Sequence, residues 1–111
     1  MRIAVPLAGG NLSMHFGHCD QFALIDIDEN GVVSKHEDAT PPSHEPGVLP
    51  AWLHGLGATH IIAGGMGSRA QSLFRNNGIT VIIGAPSEPP EELARMCVEG
   101  KLESGANICD H

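Results

Sequence analysis

Side chains that bind soft metals are concentrated in a few short stretches of this 111-residue sequence. Three of them fall within five residues, one lies in a proline-rich segment and two close the chain: His15, His18, Cys19, His44, Cys109 and His111. Zinc, copper and iron–sulfur centres select imidazole and thiolate, whereas magnesium and calcium prefer oxygen ligands. The surrounding segments are rich in Gly, Pro and Ser and have no periodicity that would explain these residues, so the sequence predicts a metal site.

The spacing of the cysteines argues against two common kinds of metal site. There is no paired C-x-x-C, so a closed structural zinc site is not indicated, and no C-x-x-C-H for covalent haem. We interpret Cys19 and Cys109 as thiolate ligands. An all-cysteine iron–sulfur cluster needs about four thiolates. Either histidines complete the set, or two chains share one cluster in a homodimer.

A glycine-rich segment, Gly64-Gly-Met-Gly-Ser-Arg-Ala70, follows a predicted strand and opens a predicted helix. It matches the dinucleotide pattern G-x-G-x-x-A, but no acidic residue ends the next strand at Gly84-Ala-Pro86, so nucleotide binding is disfavoured. Free backbone N–H groups at a helix start, with a guanidinium, suit an anion. A sulfide-bridged cluster is usually anionic, so we predict that the cofactor contacts Gly64, Gly65, Met66, Gly67 and Arg69.

Other reactive side chains have structural interpretations. Cys97 lies among apolar residues of a predicted helix, and His36 and His60 lie in predicted strands. A nucleophilic role for Cys19 is disfavoured, because the adjacent Asp20 would raise the pKa of the thiol.

Two further hypotheses stay open. One is a redox-sensing interaction module in which Cys19 pairs with Cys109. The other is a small hydrolase that uses one bound metal ion with Asp20 or Glu45 as base.

Composition excludes several classes of protein. A net charge of −7 and only 4% aromatic residues argue against nucleic acid. No apolar run has the length of a membrane span or the features of a signal peptide. With three cysteines and no disulfide framework, we expect a cytoplasmic protein. Residues 1–111 read as a single domain, with a C-terminal tail at 101–111 that we expect to be mobile without metal.

Hydrophobic periodicity and turn signals give the order β, ββ hairpin, α, β, α, β, α. The predicted strands are 2–7, 21–27, 32–37, 59–63 and 79–83, and the predicted helices begin near Val48, Ser68 and Pro89. A strand–helix–strand unit implies a parallel crossover, so the fold class is α/β, a five-stranded mixed sheet with helices on both faces. Because ligands bind at the carboxyl ends of parallel strands, the loops with Cys19 and with Gly64 should share one edge of the sheet.

Four segments taken together resemble a known family: Met1-Arg-Ile-Ala-Val-Pro6, His15-Phe-Gly17, His44-Glu-Pro-Gly47 and Gly64 to Ala70. In this order, over nearly the whole chain, they are similar to the NifX/NifB-type dinitrogenase iron–molybdenum cofactor biosynthesis family.

The resemblance implies a ribonuclease H-like fold without nuclease chemistry, and a role in binding, storing or carrying a metal–sulfur cluster. It further implies small relatives that bind iron–sulfur or molybdenum–copper sulfide clusters, often beside a Mrp-type P-loop ATPase. Many relatives lack a thiol after His-Phe-Gly, whereas this chain has Cys19 there. That departure argues against molybdenum–copper binding through purely non-covalent contacts. It favours direct ligation of iron, or of an iron–sulfur or molybdenum-containing cluster, by Cys19 and Cys109.

Overall fold

The computed structural model describes residues 1–14, 19–42 and 47–102. Within these ranges the strands are β1 (Arg2–Ala8), β2 (Asn11–Leu12), β3 (Gln21–Ile27), β4 (Val33–Ala39), β5 (His60–Ile62) and β6 (Thr80–Ile82). The helices are α1 (Val48–Gly55), α2 (Ser68–Asn76) and α3 (Pro90–Val98). Every predicted strand and helix is present, with bounds that differ by at most two residues at the ends we specified.

The strands form one mixed sheet in the order β4-β3-β1-β5-β6, with β2 paired to β1 beside this path. β3 and β4 are antiparallel to their neighbours, and β1, β5 and β6 are mutually parallel. The mixed α/β architecture is therefore confirmed.

The predicted number of five strands was one too few, because the described part of the chain forms six. The additional strand, β2, has two residues and folds back on β1, pairing Leu7 with Leu12. The turn between them uses Gly9 and Gly10 at φ of 65° and 88°. Two consecutive positive φ angles suit a tight hairpin, but a two-residue strand is too short to show alternation in a sequence.

Alternating side chains of the central strands pack into two cores, one on each face of the sheet. Ala4 and Ile61 belong to the core under α1 and α2, which also contains Leu53 and Phe74. Their neighbours Ile3, Val5 and Ile62 point to the opposite face, where Leu93 of α3 packs. Because strand side chains alternate between faces, a nearly continuous apolar run serves both cores. The prediction of helices on both faces is confirmed.

Turn and capping residues set the ends of the helices. Gly47 precedes α1 at a φ of 86°, and Pro50 lies in the first turn, where its missing N–H costs no helical hydrogen bond. Pro90 begins α3, followed by Glu91 and Glu92 near the positive end of the helix dipole. No helix in the described ranges has both the length and the apolar character required to cross a bilayer.

Candidate metal centre

The loop that carries Cys19 is attached at both ends to the last residues of β1. The Ser13 N–H donates a 2.8 Å hydrogen bond to the Pro6 carbonyl, and the Asp20 N–H donates one of 2.8 Å to Leu7. Between these bonds, Cys19 is only 7% exposed and belongs to the core under α1 and α2. The Cys19 thiol therefore lies at the carboxyl edge of the parallel strands.

The glycine segment after β5 lies against the same loop. A Cβ atom placed on Gly64 would lie 3.1 Å from both the Cα and the carbonyl oxygen of Met14. That distance is shorter than nine in ten real Cβ contacts, so any residue other than glycine would require Met14 to move by a few tenths of an ångström. The prediction that the two loops share one edge of the sheet is confirmed by this contact.

The start of α2 is open to solvent, and hydrogen bonds from Gln71 fix the residues that precede it. Gly67 precedes the helix with φ −62° and ψ 152°, without a side-chain cap, and a Cβ there would meet no atom within 4 Å. The buried amide of Gln71 donates a 2.8 Å hydrogen bond to the Met66 carbonyl, and the Gln71 backbone N–H donates to Gly67. Gly64, Gly65 and Met66 are buried, whereas Gly67, Ser68 and Arg69 are exposed. The helix start thus offers a fixed surface that a ligand can approach.

Arg69 differs from the other basic side chains in the described ranges. The remaining five bond to other residues as the pairs Arg2–Asp26, Lys35–Glu37, Arg75–Gln71, Arg95–Glu91 and Lys101–Glu99. For Arg69 the described residues provide neither an ion pair nor a hydrogen bond, and the residue is exposed. A guanidinium in this state adds to the positive end of the α2 dipole and can bind an incoming anion.

Burial controls the chemistry of the Cys19 thiol. Desolvation, with the neighbouring charge of Asp20 adding to it, raises the pKa of Cys19 to about 11, although a backbone hydrogen bond partly opposes this. The predicted effect of Asp20 has the right direction, but burial is the larger cause. At neutral pH the group is a thiol, so a metal that binds Cys19 must displace a proton.

Several predicted ligands cannot be placed. His15 and His18 lie within 15–18, His44 within 43–46, and Cys109 and His111 within 103–111, all outside the described residues. In the ranges that are described, no three His, Cys, Asp or Glu side chains converge as metal ligands. The ligand set therefore stays a prediction, with Cys19 as its one described member, and so does the tail beyond Leu102.

Two residues that the sequence did not single out shape this edge of the sheet. Met14 lies against Gly64, and the buried Gln71 fixes the Met66 carbonyl. A polar residue on the inner side of a helix was the only signal for Gln71. Nothing in the sequence identified Met14.

The residues assigned structural roles have contacts that suit those roles. His36 Nδ1 lies 2.6 Å from Glu91 Oε2, which connects β4 to α3, and His36 Nε2 lies 3.1 Å from Asp38 Oδ1. His60 Nδ1 lies 2.8 Å from the Thr59 hydroxyl. Cys97 packs against the core beneath α3.

Comparison with known proteins gives a consistent result. The chain is 35% identical over 108 residues to the protein MJ0580 of Methanocaldococcus jannaschii, a match that covers 93% of this chain and 90% of the relative. The solved structure of PH0822 superposes with a TM-score of 0.81 at 31% identity, over 95% of this chain and 96% of that one.

A third similarity concerns the fold alone. The apo form of the orange protein from Desulfovibrio gigas superposes with a TM-score of 0.76 at 22% identity, covering 96% of this chain and 93% of that chain.

The family model described as dinitrogenase iron-molybdenum cofactor matches residues 1–100. Because the family model matches residues 1–100 and MJ0580 is 35% identical over 93% of the chain, this chain belongs to the dinitrogenase iron-molybdenum cofactor family.

Proposed function

We propose that this chain is a non-catalytic carrier that binds a metal–sulfur cluster, of the iron–sulfur or iron–molybdenum type, for storage, delivery or cofactor assembly. The observation that carries the proposal is the meeting of the Cys19 loop and the Gly64 turn at one edge of the sheet. The buried thiol of Cys19 in one of these segments, and the exposed helix start that follows the other, support a binding site at this edge, and Arg69 of that helix has no partner among the described residues. Membership of the family supports a cofactor-related role.

Different residues are proposed to ligate the metal and to contact the negative charge of the cluster. Cys19 supplies one thiolate, and we propose that Cys109 supplies the second, with histidines from the set His15, His18, His44 and His111 completing coordination. The N–H groups from Gly64 to Gly67, together with Arg69, face the negative charge of the cluster. Local donors are needed, because the chain as a whole carries a charge of −7 and repels an anion at long range.

The state of Cys19 supports binding over catalysis. A nucleophilic cysteine requires a lowered pKa and access for the substrate, whereas this thiol is buried and its pKa is raised to about 11. A metal ion can form a bond to sulfur as the proton leaves, and the burial then protects that bond from solvent. From the resemblance to the family, we propose that the domain is ribonuclease H-like and has no nuclease chemistry.

The alternative function, a redox-sensing module with a Cys19–Cys109 pair, is less well supported. Disulfide exchange needs an accessible thiolate, and Cys19 offers neither access nor a lowered pKa. Counting reactive thiols before and after mild oxidation separates the two proposals, because the redox module would lose two thiols reversibly without any metal.

Three properties of the carrier follow as proposals. Its thiols suit the reducing cytoplasm. Two copies share a cluster if the histidines do not complete the ligand set. A Mrp-type P-loop ATPase works beside it in cluster transfer.

Anaerobic reconstitution with iron and sulfide tests the proposed function. We expect a coloured protein with stoichiometric iron and sulfide per chain or per pair of chains, and strongly reduced loading in Cys19→Ser and Cys109→Ser. Cys97→Ser is the matched control, because Cys97 belongs to the core on the opposite face of the sheet. A colourless wild-type protein, or a Cys19→Ser variant that loads as well as Cys97→Ser, would refute the proposal.

A further inference from the structure

The two outer strands of the sheet differ in how their edges are protected. β4 has five consecutive exposed polar residues, among them Lys35, Glu37 and Asp38. β6, at the other edge, continues from Thr80 into Val81, Ile82 and Ile83, all three partly exposed. Natural proteins usually place charges on open edge strands to prevent unwanted pairing. The β4 edge has such charges and the β6 edge does not.

The backbone of β6 leaves one row of hydrogen-bonding groups directed outward. The Thr80 N–H bonds to the Thr59 carbonyl at 3.0 Å, and the Ile82 carbonyl accepts from Ala63 at 2.8 Å, so these residues face β5. In a parallel ladder, successive residues alternate in direction. The N–H and C=O groups of Val81 and Ile83 therefore face away from β5, and no described strand lies beyond β6.

The acidic residues all lie outside the part of the sequence that contains α2 and β6. The chain has six basic and thirteen acidic residues. Residues 47–87 contain two of the basic ones, Arg69 and Arg75, and none of the acidic ones, so their net charge is +2 and that of the rest of the chain is −9. Both arginines are exposed on α2, which packs against β6. In an acidic protein, the helix that packs against β6 therefore carries positive charge alone.

We propose that the β6 edge binds an extended, acidic segment of a partner protein by strand addition. The segment adds a strand to β6, forming main-chain hydrogen bonds with Val81 and Ile83, and its carboxylates pair with Arg75 on α2. Alternating apolar side chains of the segment would cover the partly exposed valine and isoleucines. Because the apoprotein already has this edge, the inference does not depend on cluster binding.

A second copy of this chain is a poorer occupant of the same edge. Symmetric pairing of β6 with β6 would bring two α2 helices, each with two arginines, alongside one another. Screening at physiological salt limits charge interactions to about 8 Å. The local repulsion between arginines would therefore not be offset by the distant acidic face.

A peptide titration followed by ¹H–¹⁵N NMR tests the proposal. The probes are a short capped peptide that alternates glutamate with valine, its lysine counterpart, and an acidic version with N-methylated backbone amides. We expect the acidic peptide to saturate below about 1 mM, with the largest shifts at the Val81 and Ile83 amides. The lysine and N-methylated peptides should bind at least tenfold more weakly.

Two charge-reversal variants serve as a matched pair. Arg75→Glu should weaken binding of the acidic peptide by about fivefold. Lys35→Glu, which makes the same change of net charge on the opposite edge, should leave it unchanged. The proposal is overturned by unshifted Val81 and Ile83 amides, by equal binding of the lysine peptide, or by sedimentation that shows β6-dependent dimers of the chain alone.

Discussion

Met14 and Gly64 come from different loops, and their backbones touch so closely that a methyl group on Gly64 would lie 3.1 Å from the Met14 Cα and carbonyl oxygen. Gly64→Ala must therefore push the Cys19 loop away from the glycine turn. We expect a loss of about 1–3 kcal/mol in the free energy of unfolding, measured by urea denaturation.

Gly55→Ala is the control for that substitution. Gly55 ends α1, and a Cβ there would meet nothing within 4 Å. Alanine should be neutral there or stabilise the helix by up to about 1 kcal/mol. Equal stability of the two variants would show that the Met14 contact places no constraint on Gly64.

The buried Cys19 thiol should react slowly with alkylating reagents. At about pH 8 a thiol with a pKa of about 11 holds roughly 100-fold less thiolate than a cysteine in an unfolded chain. Iodoacetamide labelling followed by peptide mass spectrometry, with and without urea, measures the ratio. Fast labelling of Cys19 in the native protein would contradict the buried placement.

His36 makes stability depend on pH in a defined direction. Desolvation alone would lower its pKa, but hydrogen bonds and charge interactions with Glu91 and Asp38 outweigh burial and raise it. A raised folded pKa means that the stabilisation is complete below the ordinary value of 6.5 and is lost as pH rises through the folded pKa.

His36→Gln should therefore lose about 0.5–1 kcal/mol near pH 5.5 and less near pH 9. Urea denaturation at both pH values measures this difference. His54→Gln, on the exposed side of α1, controls for the loss of an imidazole elsewhere on the surface. If His36→Gln loses the same amount at both pH values, the contacts with Glu91 and Asp38 do not depend on the charge of His36.

Arg69 should control how long a bound cluster is retained. In Arg69→Gln we expect loss of the cluster to a chelator to be about 5–10-fold faster, because one charge-assisted contact with the anion is removed. Lys101→Gln removes the same charge from a residue paired with Glu99 and should behave like wild type. The measurement is the decay of visible absorption at low and high salt, and equal decay in both variants would rule out a role for Arg69.

Local patterns in the sequence were enough to predict most of the fold. Hydrophobic periodicity and turn signals located β3 and β4, and the start of α3 was predicted to within one residue. Topology rules then put the Cys19 and Gly64 loops at one edge of the sheet. β2 was missed because its two residues, which pair with β1 across the Gly9–Gly10 hairpin, are too few to show alternation.

The details of the candidate site depend on packing that no local pattern contains. Whether an arginine is paired depends on which side chains fold next to it, so the state of Arg69 could not be distinguished from that of Arg75 or Arg95. The burial of Cys19, which dominates the shift of its pKa, likewise depends on the core beneath α1 and α2. The adjacent Asp20 was the only part of that effect visible in the sequence.

The two hydrogen bonds that hold Ser13 and Asp20 to neighbouring carbonyls of β1 have a consequence for engineering. Both bonds join backbone atoms, so neither bond uses the side chain of Ser13 or of Asp20. An engineered variant can therefore exchange the exposed Asp20 for another side chain, and its backbone bond to β1 still anchors that end of the loop.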